Sequence, residues 1–66
     1  MKNNLKVERA RLNLSQQELA DAVNVSRQTI NAIEKGKFNP STVLALKISE
    51  LFKLSVNDIF ELESGD

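Results

Sequence analysis

The sequence contains no cysteine and no histidine. The first absence removes disulfides, zinc ribbons, redox motifs and thiol nucleophiles; the second removes the commonest general base and metal ligand. No catalytic residue, metal ligand or cofactor is therefore expected. Glycine occurs twice and proline once, too little for a fibrous or low-complexity chain. Long apolar runs are missing as well. The longest, Val43-Leu44-Ala45-Leu46, falls far short of the ~20 residues that span a bilayer. No signal-peptide apolar region comes after Met1-Lys2-Asn3-Asn4. The expectation is a protein without a membrane partner that stays in the cytoplasm, where it is made.

What is present is one domain's worth of globular sequence: 66 residues, 41% hydrophobic and 27% charged. Ordering such a chain costs on the order of 100 kcal/mol against apolar burial of similar size, a thin margin that a partner subunit would widen. The net charge of zero hides a split. Lys2, Lys6, Arg9, Arg11, Arg27, Lys35 and Lys37 stand against Glu8, Glu18, Asp21 and Glu34 in residues 1 to 37, a net of +3. Residues 38 to 66 carry the compensating −3. The N-terminal part can face an anion such as nucleic acid.

Short amphipathic runs separated by polar punctuation predict a helical bundle. Leu5 and Leu12, with Ala10 on the flank, place an apolar line on a first helix near residues 4 to 12. Ser15-Gln16-Gln17-Glu18 is a capping box, so a second helix starts at Gln16 and runs to about Val23, with Leu19, Ala22 and Val23 on one face. Asn24 suits the left-handed conformation that ends a helix, and Ser26 caps the next. From Arg27 to Lys35 only Ile30, Ile33 and Ala32 are apolar, which leaves a wet third helix ending at Gly36. Pro40 forces a loop, and Ser41 caps a fourth helix to about Phe52 with a stripe of Val43, Leu44, Leu46, Ile48 and Leu51. Ser55 caps a last turn, Val56-Asn57-Asp58. The alternation from Ile59 to Glu63 then permits a short strand, which must find something to pair with.

Two short helices joined by a three-residue turn, the second exposing Arg27, Gln28 and Asn31, make a helix-turn-helix over about residues 16 to 35. Small Ala20 lies where the helices cross, and Leu19, Val23 and Val25 fill the angle between them. The stretch LSQQELADAVNVSRQTINAIEKGKFNP, Leu14 to Pro40, resembles the Cro/C1-type (XRE) family of transcriptional regulators. Ser41 to Phe60 is similar to the later helices of small bacterial members. Asn24 departs from the glycine more usual there, a change that Asn tolerates because it reaches left-handed angles.

The resemblance implies an all-α, five-helix, lambda-repressor-like DNA-binding domain over residues 1 to 66 with a short C-terminal β-element. It implies a homodimeric repressor on a palindromic, double-stranded DNA operator. Carried over residue by residue, Gln28 would pair with adenine, Arg27 with guanine or a phosphate, and Asn31 would reach the same groove floor. Gln16, Gln17, Ser26, Thr29, Lys35, Lys37 and Asn39 would contact the DNA backbone. Leu54, Ile59, Phe60 and Leu62, in a C-terminal segment of about residues 54 to 63, would form the dimer interface.

Blander roles compete. Ser15 and Glu18 serve as a cap, Lys35 and Lys37 can complement a helix dipole, and Glu34 is expected to pair with a cation such as Arg9. The competing function is a protein-interaction module, an adaptor or antitoxin subunit on the same fold, which would not need Arg27, Gln28, Asn31 and Lys35 on one exposed face.

Overall fold

The computed structural model describes residues 1–66. Strand β1 (Lys2–Asn3) leads into helices α1 (Leu5–Arg11), α2 (Gln16–Val23), α3 (Arg27–Glu34), α4 (Thr42–Phe52) and α5 (Val56–Ile59), and strand β2 (Phe60–Glu61) closes the chain. The architecture is all-α with five helices, as the resemblance implies, and the alternation from Ile59 to Glu63 contains a two-residue strand. Its partner lies inside the same chain: β2 runs antiparallel to β1, with Lys2 opposite Glu61 and Asn3 opposite Phe60. The amide of Asn4 donates to the Ile59 carbonyl at 2.8 Å, and the Asn3 side chain donates to the Ile33 carbonyl at 2.8 Å. The N-terminus is thereby tied both to α5 and to the end of α3.

Three of the helix connections obey one local rule. Asn13-Leu14-Ser15, Asn24-Val25-Ser26 and Lys53-Leu54-Ser55 each place a residue at positive φ (54°, 61° and 56°), then an apolar residue, then the Ser that caps the next helix. The apolar residue's amide reaches back five positions: Leu14 to the Arg9 carbonyl, Val25 to Ala20 and Leu54 to Ser49, at 3.0, 3.0 and 3.1 Å. These are Schellman closures, which satisfy carbonyls that a helix end leaves open. Asn suits the left-handed position because its short polar side chain can bond locally; Lys53 has no such help and is held there by the closure. The start of α2 carries the complete capping box, with Ser15 Oγ accepting from the Glu18 amide at 3.0 Å and Glu18 Oε1 accepting from the Ser15 amide at 2.9 Å. The same reciprocal pair forms between Ser55 and Asp58 at α5.

The core is Leu5, Leu19, Ala20, Val23, Ile30, Ile33, Leu44, Ile48, Ile59 and Phe60. Several expectations need correction against it. Leu12 lies on the C-terminal cap of α1 and is exposed, because the helix stops at Arg11 and the chain turns there. Ala22 faces water beside buried Val23. On α4 only Leu44 and Ile48 are buried, with Ala45 and Leu51 half-buried; Val43 and Leu46 are 64% and 52% exposed. The apolar stripe is wider than the core it covers. The largest correction concerns Ile59 and Phe60, expected at a subunit interface. They are 1% and 6% exposed and packed inside this chain, because β1–β2 pairing folds the C-terminal segment back over the helices. Of the four residues assigned to the interface, Leu54 is half-buried and Leu62 is 77% exposed.

Candidate nucleic-acid interface

Helix α3 has a polar outer face because its apolar residues are few and correctly spaced. Ile30 and Ile33 are buried against α1 and α2, so Arg27 and Gln28 are exposed and Asn31 is half-buried at the surface. The turn through Asn24 sets the start of α3 beside the start of α2. Gln16, the first residue of α2, therefore joins Arg27, Gln28 and Asn31 around one polar concavity of about 240 Å³ with no apolar residue in its wall. The sequence divides these four side chains into two groups, three reading bases and one on the backbone. The structure brings them to one place.

Hydrogen bonds organise that concavity. Gln16 Nε2 donates to Asn31 Oδ1 at 3.2 Å and to Glu34 Oε1 at 3.1 Å, and Arg27 Nε donates to Gln16 Oε1 at 3.4 Å. Glu34 is in turn paired with Arg9, as expected: Arg9 Nε reaches Glu34 Oε2 at 2.8 Å, and Arg9 Nη1 donates to the Leu14 carbonyl at 2.8 Å. The side chain of Glu34 is 5% exposed and that of Arg9 16%. The hydrogen bond to Glu34 raises the pKa of the Arg9 guanidinium further, with the carboxylate's charge adding to it and partial burial opposing. This pair fastens α1 to the end of α3 and to the loop before α2. No spacing rule links Gln16 to positions 15 and 18 residues away, so the sequence carries no signal for this network beyond the types of the residues.

The remaining assigned residues divide. Gln28 makes no side-chain hydrogen bond within the chain and is free at the surface. Ser26 Oγ caps α3 by accepting from the Thr29 amide at 3.2 Å and lies 3.0 Å from Thr29 Oγ1, so both hydroxyls serve the cap. Gln17 Nε2 is bonded to Asp21 Oδ1 at 2.9 Å along α2. Lys35, Lys37 and Asn39 are exposed, and neither lysine is in an ion pair. Lys37 and Asn39 lie beyond α3 in the loop to Pro40, not on its outer face.

No group of His, Cys, Asp or Glu side chains is arranged to hold a metal ion. No helix is long and apolar enough to cross a membrane.

Comparison with known proteins agrees with this geometry. A helix-turn-helix family model matches residues 5–59. An uncharacterized HTH-type transcriptional regulator of Methanocaldococcus jannaschii is 53% identical over 66 residues, covering 100% of both chains. One from Bacillus subtilis is 51% identical over 63 residues, covering 96% of each. Among solved structures, the restriction-modification controller protein C.AhdI from Aeromonas hydrophila superposes with a TM-score of 0.76 at 28% identity over 85% of both chains. A hypothetical transcription factor from Neisseria shares the fold, with a TM-score of 0.76 at 22% identity over 83% of this chain and 62% of that one.

Proposed function

The chain belongs to the Cro/C1-type helix-turn-helix family, and from that premise we propose that it is a transcriptional regulator, a homodimeric repressor that reads a palindromic operator through the major groove. The observation that carries the reading is the outer face of α3. Arg27, Gln28 and Asn31 stand there at the surface with Gln16 beside them, a set of donors and acceptors with no apolar residue among them. An α-helix fits the major groove of B-DNA, where such side chains meet base edges. The role is one of binding, without a chemical step.

The base-reading set is Arg27, Gln28 and Asn31. Lys35, Lys37 and Asn39 lie along the flank as phosphate contacts. The backbone N–H groups at the starts of α2 and α3 add to them around Gln16, Gln17, Ser26 and Thr29. The helix-turn-helix spans about residues 16 to 35 of a single domain. Dimerisation draws on apolar surface that the fold leaves open or half-covered: exposed Leu46 with half-buried Pro40, Ala45 and Val56 around a shallow groove of about 220 Å³, together with half-buried Leu54 and exposed Leu62 of the C-terminal segment. Two recognition helices on such a dimer would enter successive major grooves about 34 Å apart, which sets half-site centres about 10 base pairs apart. Occupancy of a promoter by the dimer would repress by occlusion.

The test is selection from a random pool of duplex DNA at about 0.15 M salt, with sequencing of the bound fraction. A palindrome with half-sites about one turn apart is the expected result. Absence of any enriched sequence, with binding lost uniformly as salt rises, would overturn the reading and favour a protein partner for the α3 face.

A further inference from the structure

We infer that Glu34, acting through Gln16, makes Asn31 a donor-only reader of bases and so helps to set the operator sequence from within the fold. The inference rests on the DNA-binding reading above and adds a positioning residue that touches no base.

The polarity is fixed at one end by charge. Glu34 is held against Arg9, and its Oε1 also receives Gln16 Nε2 at 3.1 Å. An ionised carboxylate has no proton to give, so Gln16 must present its NH2 group there; a reversed amide would set oxygen against oxygen. The second proton of that NH2 goes to Asn31 Oδ1 at 3.2 Å. Asn31 is thereby also fixed, with its oxygen turned inward and its NH2 group left for the groove. Gln16 Oε1 faces the other way and accepts from Arg27 Nε at 3.4 Å, which leaves the two terminal nitrogens of Arg27 free.

The consequence is a donor and acceptor pattern across α3. Arg27 and Asn31 offer donors only, and Gln28, bonded to nothing in the chain, offers both. In the major groove donors are met by guanine N7 and O6, thymine O4 and adenine N7, whereas cytosine presents only its N4 amino donor. The bidentate amide pairing with adenine needs an oxygen for N6 and an NH2 for N7. Gln28 can supply both, and Asn31, whose oxygen is turned inward toward Gln16 and away from the base, cannot. Adenine is assigned to Gln28; the base facing Asn31 is one with an acceptor edge, guanine or thymine before adenine, with cytosine rejected.

The experiment compares random-pool selections for the wild-type chain, Asn31→Ala and Gln16→Met. Asn31→Ala marks the base pair that Asn31 reads, as the position where preference relaxes. Gln16→Met keeps the length of the side chain and leaves the Arg9–Glu34 pair intact, but frees the Asn31 amide to turn over. The expected result is a loss on the order of tenfold in discrimination against cytosine and adenine at the marked pair, with the adenine preference assigned to Gln28 unchanged. A Gln16→Met chain with unaltered preference at the marked pair overturns the inference, and so does a uniform loss of affinity at every position, which is what a merely structural Gln16 would give. Should Gln16→Met fail to melt cooperatively, Gln16→Leu gives the same readout, since an uncharged apolar side chain has no N–H to donate to Asn31. If the wild-type chain selects no sequence, the DNA reading itself fails; if it selects one and the marked pair ignores Gln16, only the present inference fails.

Discussion

The turn into α3 and the turn into α5 are built alike and lead to opposite ends. Asn24-Val25-Ser26 and Lys53-Leu54-Ser55 have nearly the same left-handed residue (φ 61°, ψ 45° and φ 56°, ψ 40°), the same backward bond from the apolar residue and the same serine cap. After the first, eight residues carry Arg, Gln and Asn on an uncovered face. After the second, four residues deliver Ile59 and then Phe60 to the core. The turn therefore places a helix and does not assign it a task. The residues beyond the turn assign it: two buried isoleucines three apart anchor α3 and leave Arg27 and Gln28 wet at its start, whereas the four residues of α5 expose only Asn57 and Asp58 before Ile59 and Phe60 enter the core.

The contrast can be broken most severely at Phe60. Phe60→Ala removes a core aromatic and the packing that holds β2 to β1, and it should cost ~3–5 kcal/mol of stability, measured by urea unfolding. A domain of this size has roughly 3–10 kcal/mol in all, so much of the population would unfold. A loss below ~1 kcal/mol would show that the C-terminal segment is no part of the core.

Gln28→Ala tests the other side of the comparison. The residue is exposed and unbonded, so the melting temperature should hold while affinity falls by ~1–3 kcal/mol per half-site and the preference at one base pair relaxes. Unchanged specificity in the Gln28→Ala chain would remove Gln28 from the reading set. Lys37→Ala should weaken all sequences alike and reduce the salt dependence by about one unit of slope per phosphate lost, seen in binding titrations over a salt series.

The turns themselves are distinguished by a smaller effect. Lys53→Gly relieves a left-handed lysine, worth ~1–2 kcal/mol, against a glycine entropy cost of ~0.5–1 kcal/mol, so a net gain of about 0.5–1 kcal/mol is expected. Asn24→Gly should gain less, because asparagine already tolerates the angle. Similar gains at both sites in thermal melts would erase the distinction.

The smallest effect is the pH response of the α2 cap. Hydrogen bonds from the Ser15 amide and hydroxyl hold the Glu18 carboxyl below its ordinary value of 4.5. A lowered folded pKa means that the carboxylate's contribution is complete above the ordinary value and is lost as pH falls through the lowered one. Glu18→Gln should remove that part of the acid dependence of the urea midpoint and leave the remainder.

Much of this molecule is legible in the amino-acid order because the rules involved are local. The capping box at Ser15, the left-handed Asn24, the caps at Ser26, Ser41 and Ser55 and the spacing of Ile30 and Ile33 all act within a few residues, and the structure has each of them in place. The Arg9–Glu34 pair is legible too, since an acid on the inner edge of α3 needs a cation. Lys53 at positive φ is not, because nothing in lysine favours that angle; the closure around it does.

By itself, then, the sequence determined the succession of helices, the serine-capped starts of α2 to α5 and the polar character of α3, since capping and apolar spacing depend on neighbours along the chain. Tertiary structure decided what the C-terminal alternation pairs with, setting β2 beside β1, burying Ile59 and Phe60 in the core and leaving Leu46 uncovered. It also decided which way the amides of Gln16 and Asn31 point. Strand pairing and hydrogen-bond polarity depend on groups far apart in the chain, Gln16 with Asn31 and Lys2 with Glu61, and no local preference specifies which of those groups will meet.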